Sequence, residues 1–471
     1  MLNQTLQEKY PHLEISVLKL SEVQKDNESK RIDSEFFKKE YFDAMETIQL
    51  NQVEYLGDNM KFNSRYSQPK YDETSKMKVI NSQYIRNEYI DYENAKSGYG
   101  KIVPKESVLI NATGVGTLGR VFINILDFDF SIDSHINVIV VKDKTYLNPC
   151  FLTIFLQSYY GQIQIIRYYS GTSGQIEIYP RDFNYFKIPI LPIEFQLEIE
   201  KMVKDSHKAL EESKELYKKA EETLYFELGI DVKNPLQSFL DSKIDYSAKS
   251  LNISIRTLKE SFLKTGRLDS EYYQSKYEDI EKFIKSYPNG YDSFSNIINN
   301  KDANFTPKNN ENYSYIELAN IGNNGNISEP ISDFGKNLPT RARRMVCKGD
   351  VIVSSIEGSL SSCALITQEF DKHLVSTGFF VLNSKLLNGE TLLVMFKSQM
   401  FQEYLKKFPS GTILCAINKE ELSKILIPKI DPTTQEKIAK YIQESFNLRK
   451  KSKQLLDNAK IKVEEQIQGK T

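Results

Sequence analysis

Several short strings in this sequence carry residue types that could do chemistry. Gly114-Val115-Gly116-Thr117-Leu118-Gly119 follows an apolar run, Val108-Leu109-Ile110, and has the spacing of a dinucleotide-binding loop. Such a site needs a helix next, whose first amides hold the pyrophosphate. Here Arg120-Val121-Phe122-Ile123-Asn124-Ile125 follows, β-branched and aromatic, which predicts a second strand and a hairpin turn between the two. A kinase reading would add Lys142 and Asp333-Phe334-Gly335 to the glycine string. None of His12, His135, His207 or His373 opens an H-R-D catalytic loop, and no A-P-E triplet occurs. Asn148-Pro149-Cys150-Phe151 has three of the four positions of an amine-gripping methyltransferase motif but lacks its second proline. No glycine-rich loop for S-adenosylmethionine accompanies it. Those residues predict a helix start, with Asn148 as cap and Pro149 in the first turn. Arg31-Asp33-Glu35 and Arg267-Asp269-Glu271 place carboxylates beside a guanidinium. Their recurrence at a helix entry points to a cap, an internal ion pair or a docking edge. The sequence offers no catalytic centre and calls for no cofactor.

Composition sets the class. The chain has 471 residues, 40% hydrophobic and 27% charged, which is ordinary for a folded globular protein. That length predicts two to four domains. Net charge is −1, from 62 basic and 63 acidic side chains. This excludes binding to polyanions by bulk charge but permits a local basic groove. Four cysteines (Cys150, Cys347, Cys363, Cys415) stand far apart and four histidines complete the soft ligands, so neither a structural metal nor a disulfide framework is expected. No run is long and apolar enough to span a membrane, and 1–14 lacks the apolar core of a signal peptide. The expected setting is the cytoplasm. There are 28 Tyr, 26 Phe and no Trp, mostly beside apolar neighbours, which assigns the rings to core rather than to base stacking.

The elements that must position any site come in two copies. Arg31-Ile32-Asp33-Ser34-Glu35-Phe36-Phe37 returns as Arg267-Leu268-Asp269-Ser270-Glu271-Tyr272-Tyr273, an offset of 236 (267 minus 31). Leu13-Glu14-Ile15-Ser16 matches Leu251-Asn252-Ile253-Ser254, and Val108-Leu109-Ile110 matches Val351-Ile352-Val353. Ser170-Gly171-Thr172 matches Ser410-Gly411-Thr412, Ile188-Pro189 matches Ile427-Pro428, and Gln196 matches Gln435. The order is unbroken. Each copy predicts a helix after the Arg-x-Asp motif (34–48; 270–284, with the serine as cap), then a polar irregular segment. In the first copy, strands follow at 107–110, 121–125 and 136–141. A short helix is predicted in each copy, at 149–158 and at 390–406. Each copy closes on a long helix. Ile199, Met202, Ser206, Ala209, Ser213, Leu216, Ala220 and Leu224 form one heptad seam. Ile438, Tyr441, Ser445, Leu448, Ser452, Leu455, Ala459 and Val463 form the other. Each helix should reach roughly 45–55 Å.

The series resembles the DNA-specificity (S) subunit of Type I restriction–modification systems. Thr306-Pro307-Lys308 (Ser67-Gln68-Pro69-Lys70 in the first copy) corresponds to that family's polar loop. Gly349-Asp350-Val351-Ile352-Val353-Ser354 (106–111 in the first copy) corresponds to its strand entry. The Ser-Gly-Thr turns follow, then Pro192 to Gln196 and Pro432 to Gln435 as helix starts. The family's fuller Gly-Gly-Thr-Pro loop is absent, and Phe195-Gln196 and Thr434-Gln435 replace its Glu-Gln pair.

The resemblance implies an α+β protein. Two homologous target-recognition domains would be separated by an antiparallel two-helix coiled coil with pseudo-twofold symmetry. The divisions implied are an N-terminal segment 1–30 packing near the second spacer helix, a first recognition domain 31–191, a central helix and linker 192–250, a second recognition domain 251–430 and a C-terminal spacer helix 431–471. It implies a non-catalytic subunit that reads a bipartite, asymmetric duplex and brings two methyltransferase subunits to it for N6-adenine methylation. An ATP-dependent restriction subunit could join them. The alternatives are the recognition subunit of a Type II bipartite-site enzyme, a scaffold that binds proteins without reading sequence, and a kinase or methyltransferase. DNA contact is expected from Arg65, Tyr66, Ser67, Lys70, Thr113, Thr117, Arg120, Ser170, Thr172 and Ser173. In the second copy it is expected from Thr306, Lys308, Asn309, Ser359, Ser361, Ser410 and Thr412, with Arg341, Arg343 and Arg344 on a loop. The competing assignment for each is a solvated turn residue.

Overall fold

The computed structural model describes residues 2–15, 17–171, 174–240, 255–322, 324–411 and 415–469. Thr172, Ser173, Thr412 and the matched segment 251–254 lie outside the described residues. The chain divides into two compact units, Met1–Glu211 with Arg449–Thr471 and Glu212–Leu448. Each is α+β, the class expected from the sequence.

In the first unit a central antiparallel sheet has the strand order Met60–Arg65, Ile136–Val141, Val108–Asn111, Val121–Ile123. All of Val108–Asn111 is buried because both faces of the strand are covered. Val108 and Ile110 pack on the helix Pro149–Gln157, while Leu109 packs with Phe130 and Ile132 of an outer sheet. That is why the run is continuously apolar instead of alternating. The outer sheet has the order Lys70–Tyr71, Lys96–Tyr99, Lys78–Ile80, Phe130–Ile132, the last two strands parallel.

The second unit repeats this plan. Its central sheet is Ile298–Asn300, Phe379–Ser384, Val351–Ser354, Cys363–Leu365. Its outer sheet is Ile331–Phe334, Asn312–Ile316, Leu374–Ser376, Ala342–Met345, also with one parallel pair, here the middle two strands. The outer sheets share a hairpin and a parallel strand and differ in the fourth member. In the first unit Lys70–Tyr71 extends the hairpin edge, whereas in the second Ala342–Met345 extends the parallel edge.

Several local expectations are corrected. The first helix begins at Lys39, not at Ser34, because Asp33 accepts the Phe36 amide at 3.1 Å and folds 34–37 into a turn. In the second copy a 3-10 turn, Ser270–Tyr273, precedes the helix Ser275–Lys285. The helix expected at 390–406 is two helices, Gly389–Lys397 and Gln399–Leu405, broken at Ser398, whose backbone is extended (ψ 147°) and whose hydroxyl accepts the Phe401 amide. Ser158 makes the same break between Pro149–Gln157 and Tyr159–Tyr168. The segment holding Arg341, Arg343 and Arg344 is mostly strand rather than loop. Asn148 does cap its helix, accepting the Cys150 amide at 2.8 Å.

The two long helices, α1 (Ile193–Leu228) and α2 (Pro432–Ile467), have 36 residues each, roughly 54 Å. Every seventh residue of α1 from Ile199 (Ser206, Ser213, Ala220) is buried, and so is every seventh of α2 from Ile438 (Ser445, Ser452, Ala459). In the first unit Ser206 Oγ lies 2.9 Å from both the hydroxyl and the carbonyl oxygen of Ser452, and Lys462 pairs with Glu198. In the second, Ser213 and Ser445 share a 3.0 Å hydroxyl contact and Thr434 donates to Glu227 at 2.8 Å. Both segments pair antiparallel, and each buried hydroxyl has its partner.

A buried carboxamide fixes where each long helix starts. Gln196 accepts the Asn148 amide at 2.8 Å and donates to the carbonyls of Tyr146 and Leu191 at 3.1 and 2.8 Å. Gln435 accepts the Asn388 amide at 2.9 Å and donates to Leu386 and Ile430 at 3.0 and 2.9 Å. The same three bonds tie the long helix to the cap of the short helix before it. Replacing Gln435 with Leu leaves these backbone groups without their partner. A loss of about 2–4 kcal/mol is expected, read as a lowered urea midpoint with unchanged slope.

Candidate nucleic-acid interface

The glycine string is the turn of a β-hairpin. Gly114, Gly116 and Gly119 take φ of 91°, 79° and 81°, a region closed to most side chains, and the strand Val121–Ile123 follows where a nucleotide site needs a helix. The turn is tied inward by its own groups. Thr117 Oγ1 donates to the Thr113 carbonyl at 2.8 Å, Thr113 Oγ1 lies 3.0 Å from His135 Nδ1, and Arg120 donates to the carbonyls of Gly116 and Ile85 at 2.7 and 3.3 Å. Burial, then repulsion from Arg86, lowers the pKa of Arg120. At the tip Val115 is 68% exposed.

The Ser-Gly-Thr turn docks beside this hairpin. Ser170 and Glu177 exchange backbone hydrogen bonds at 2.7 and 2.8 Å, and the Gly114 amide donates to the Ile176 carbonyl at 3.0 Å. Ile178 then donates to the Ala112 carbonyl at 2.9 Å. In the second unit Ser410 and Ala416 exchange bonds at 3.0 and 3.1 Å, Glu357 donates to Cys415 at 3.0 Å, and Ile417 donates to Ser355 at 2.8 Å. One backbone junction therefore carries different side chains in the two units. Gly114 of the first becomes an exposed Glu357 in the second.

The Arg-x-Asp motif roots each turn. Arg31 grips Asp33 with two bonds of 2.7 Å and donates to the carbonyls of Tyr169 and Arg167 at 2.8 and 3.2 Å. Arg267 grips Asp269 at 2.8 and 2.6 Å and donates to Pro409 and Phe408 at 2.8 and 3.2 Å. An aromatic face covers each guanidinium, Phe36 at 5.0 Å and Tyr272 at 4.5 Å. The motif is thus an internal ion pair. One carbonyl held by each arginine, that of Tyr169 or Pro409, immediately precedes the serine of its turn. Sequence reasoning saw the motif recur but not its target, which lies 136 to 142 residues away.

The remaining expected contacts divide by exposure. Ser67 and Lys70 of the first unit, and Thr306, Lys308, Asn309, Arg341 and Ser361 of the second, are exposed. Lys308 pairs with Glu311 at 2.7 Å. Arg343 and Arg344 are partly buried and reach the carbonyls of Thr340 and Lys301 at 2.9 and 3.3 Å. Ser359 shares a 2.8 Å bond with Ser354. Arg65 is turned inward, paired with Glu177 and donating to the Ile178 carbonyl, so it braces the turn junction. Tyr66 is 6% exposed in the cluster between the sheets, with Lys101 Nζ 4.7 Å above its ring. Among the described residues no His, Cys, Asp and Glu cluster could hold a metal, and no helix is long and apolar enough to cross a membrane.

Two outcomes are expected. A Cβ at Gly171 (φ 112°) would lie 2.1 Å from the Gln175 carbonyl oxygen, so Gly171→Ala should cost about 1–3 kcal/mol in thermal unfolding. The arginine bonds hold Asp33 and Asp269 below the ordinary 3.8, so the native state binds fewer protons there than the unfolded chain does. Their contribution is present above that value and disappears as pH falls through the lowered one. Melting temperature should fall with acid, and less steeply in Asp33→Asn/Asp269→Asn.

A family model described as Type I restriction modification DNA specificity domain matches residues 43–222. The HindI Type I restriction enzyme specificity subunit of Haemophilus influenzae is 30% identical over 159 residues, which is 33% of this chain and 33% of that protein. The chain thus matches about a third of this relative's length. The Type I S subunit from M. genitalium superposes with TM-score 0.42 at 12% identity, covering 88% of this chain and 95% of the other. The HsdS subunit from Thermoanaerobacter tengcongensis gives 0.28 at 14%, covering 89% and 97%. Those scores are too low for the superpositions to carry weight. Residues 43–222 are thus similar to the DNA specificity domain of Type I restriction–modification systems.

Proposed function

We propose that the chain reads a bipartite, asymmetric duplex site and brings methyltransferase subunits, and a restriction subunit where one exists, to it. Residues 31–191 would read one half-site and 251–430 the other. The long helices would fix the gap between the half-sites. The observation that carries this reading is the pair of hairpin-and-turn junctions, made with equivalent backbone bonds but with unlike side chains. Two such readers recognise two different short sequences by one docking geometry. Phosphate contacts would set the register and base-edge contacts in the major groove would specify sequence. The exposed Ser67, Lys70, Thr306, Lys308, Asn309 and Arg341 and the turn serines Ser170 and Ser410 are the contacts proposed. The reaction would belong to the partners, with this chain non-catalytic and in the cytoplasm with them.

The test is a genome-wide map of N6-methyladenine with and without the gene. One split, asymmetric motif should vanish on deletion, and an unchanged map would refute the reading. If each unit neutralises about 3–5 phosphates, log affinity should fall with log salt at a slope of about −5 to −9. Exchanging 31–191 for a relative's first domain should change one half-site only. Inserting one heptad between Ile199 and Leu224 should change the gap and leave both half-sites readable.

A further inference from the structure

We infer that Arg31 and Arg267 are positioning residues for sequence readout, each setting the Ser-Gly-Thr turn of its own unit without touching DNA. The inference rests on the reading role proposed above and deepens it.

Three observations support it. First, each guanidinium is used on two sides at once. Its bidentate edge is taken by the aspartate two residues on, and its remaining donors take the two carbonyls at the root of the turn. Little of either group is left for a phosphate. The side chains are 22% and 12% exposed.

Second, the described ends of the turn are bonded to each other, Ser170 to Glu177 in the first unit and Ser410 to Ala416 in the second. Gly171 and Gly411 take φ of 112° and 132°, and the next hydrogen-bonded contact joins the turn to the hairpin. A displacement at the root is therefore carried to the hairpin junction at Glu177 or Ala416. A flexible loop would absorb it.

Third, the same clamp appears in both copies although its surroundings differ. Arg167 beside the first clamp stacks 3.7 Å from the Tyr41 ring centroid. The second unit instead has Lys407 paired with Glu281. Equivalent clamps beside unlike neighbours are held by what they position. Each clamp lies wholly within one unit, so its loss should blur one half-site and leave the other strict.

The experiment uses the full chain and its methyltransferase partners. Arg31→Gln, Arg267→Gln and the milder Asp33→Asn are each scored by the methylation map. Each is also scored by competition binding to duplexes in which every base pair of the wild-type motif is replaced in turn. Arg31→Gln and Asp33→Asn should relax the same positions of one half-site, with discrimination falling about ten-fold, and Arg267→Gln should relax the other half-site. The salt slope should stay unchanged, because no phosphate contact is removed. Ile163→Val, a core change outside the clamp, should lower the melting temperature while leaving the motif strict.

A folded Arg31→Gln chain that keeps both half-sites strict would overturn the inference. So would relaxation of both half-sites together, relaxation in Ile163→Val to the same degree, or a salt slope reduced by about one unit. A wild-type chain with no preferred duplex would overturn both this inference and the function beneath it.

Discussion

In the first unit the Ser206 hydroxyl reaches both the hydroxyl and the carbonyl of Ser452, which brings the two helices close at these small residues. That close approach brings Val203 of α1 and Leu456, Ala459 and Val463 of α2 into one cluster with the short helices and the central sheet. The second unit is built on the same constraint. Ser213 meets Ser445, and Ala220, Leu224, Ile438 and Ile442 enter its core. The long helices are part of each core. A larger residue in the seam would force the pair apart and open the cluster behind it.

The constraint explains where sequence variation is tolerated. Central sheet, short helices, carboxamide and Arg-x-Asp clamp are packed or bonded in the same way in both units, so their residue types recur. The hairpin tips and the outer-sheet edges carry no such load. There Val115 and Gly116 give way to Gly358 and Ser359, and Lys70–Tyr71 on one edge is replaced by Ala342–Met345 on the other. A scaffold that fixes backbone position while freeing these side chains lets the two units diverge without refolding.

Much of this was legible in the sequence because it rests on short-range rules. The heptad seam gave the long helices, Asn148 marked its cap, and β-branched residues after the glycine string marked a hairpin. Other features depend on partners far along the chain. Lys78–Ile80 runs parallel to Phe130–Ile132 across some fifty residues, and nothing in three-residue strands announces that pairing. Arg65 looked like a free cation beside a polar loop until Glu177 was placed next to it. The break at Ser398 was hidden because residues on both sides favour helix and the interruption needs only one extended residue. The recurrence of Arg31 and Arg267 was visible, but their purpose needed the carbonyls they hold.

The division of the chain also bears on synthesis. Glu212–Leu448 is continuous, so that unit can close as soon as it has left the ribosome. Met1–Glu211 is made first, yet its core includes Leu456, Ala459, Val463 and Ile467, which arrive about 240 residues later. At ~5–20 residues per second the wait is roughly 10–50 s. During that interval the apolar surface around Ile199 and Val203 has no α2 to cover it. The half of the protein that is translated first is therefore the last to finish folding, and it depends on the nascent chain staying intact to its final helix.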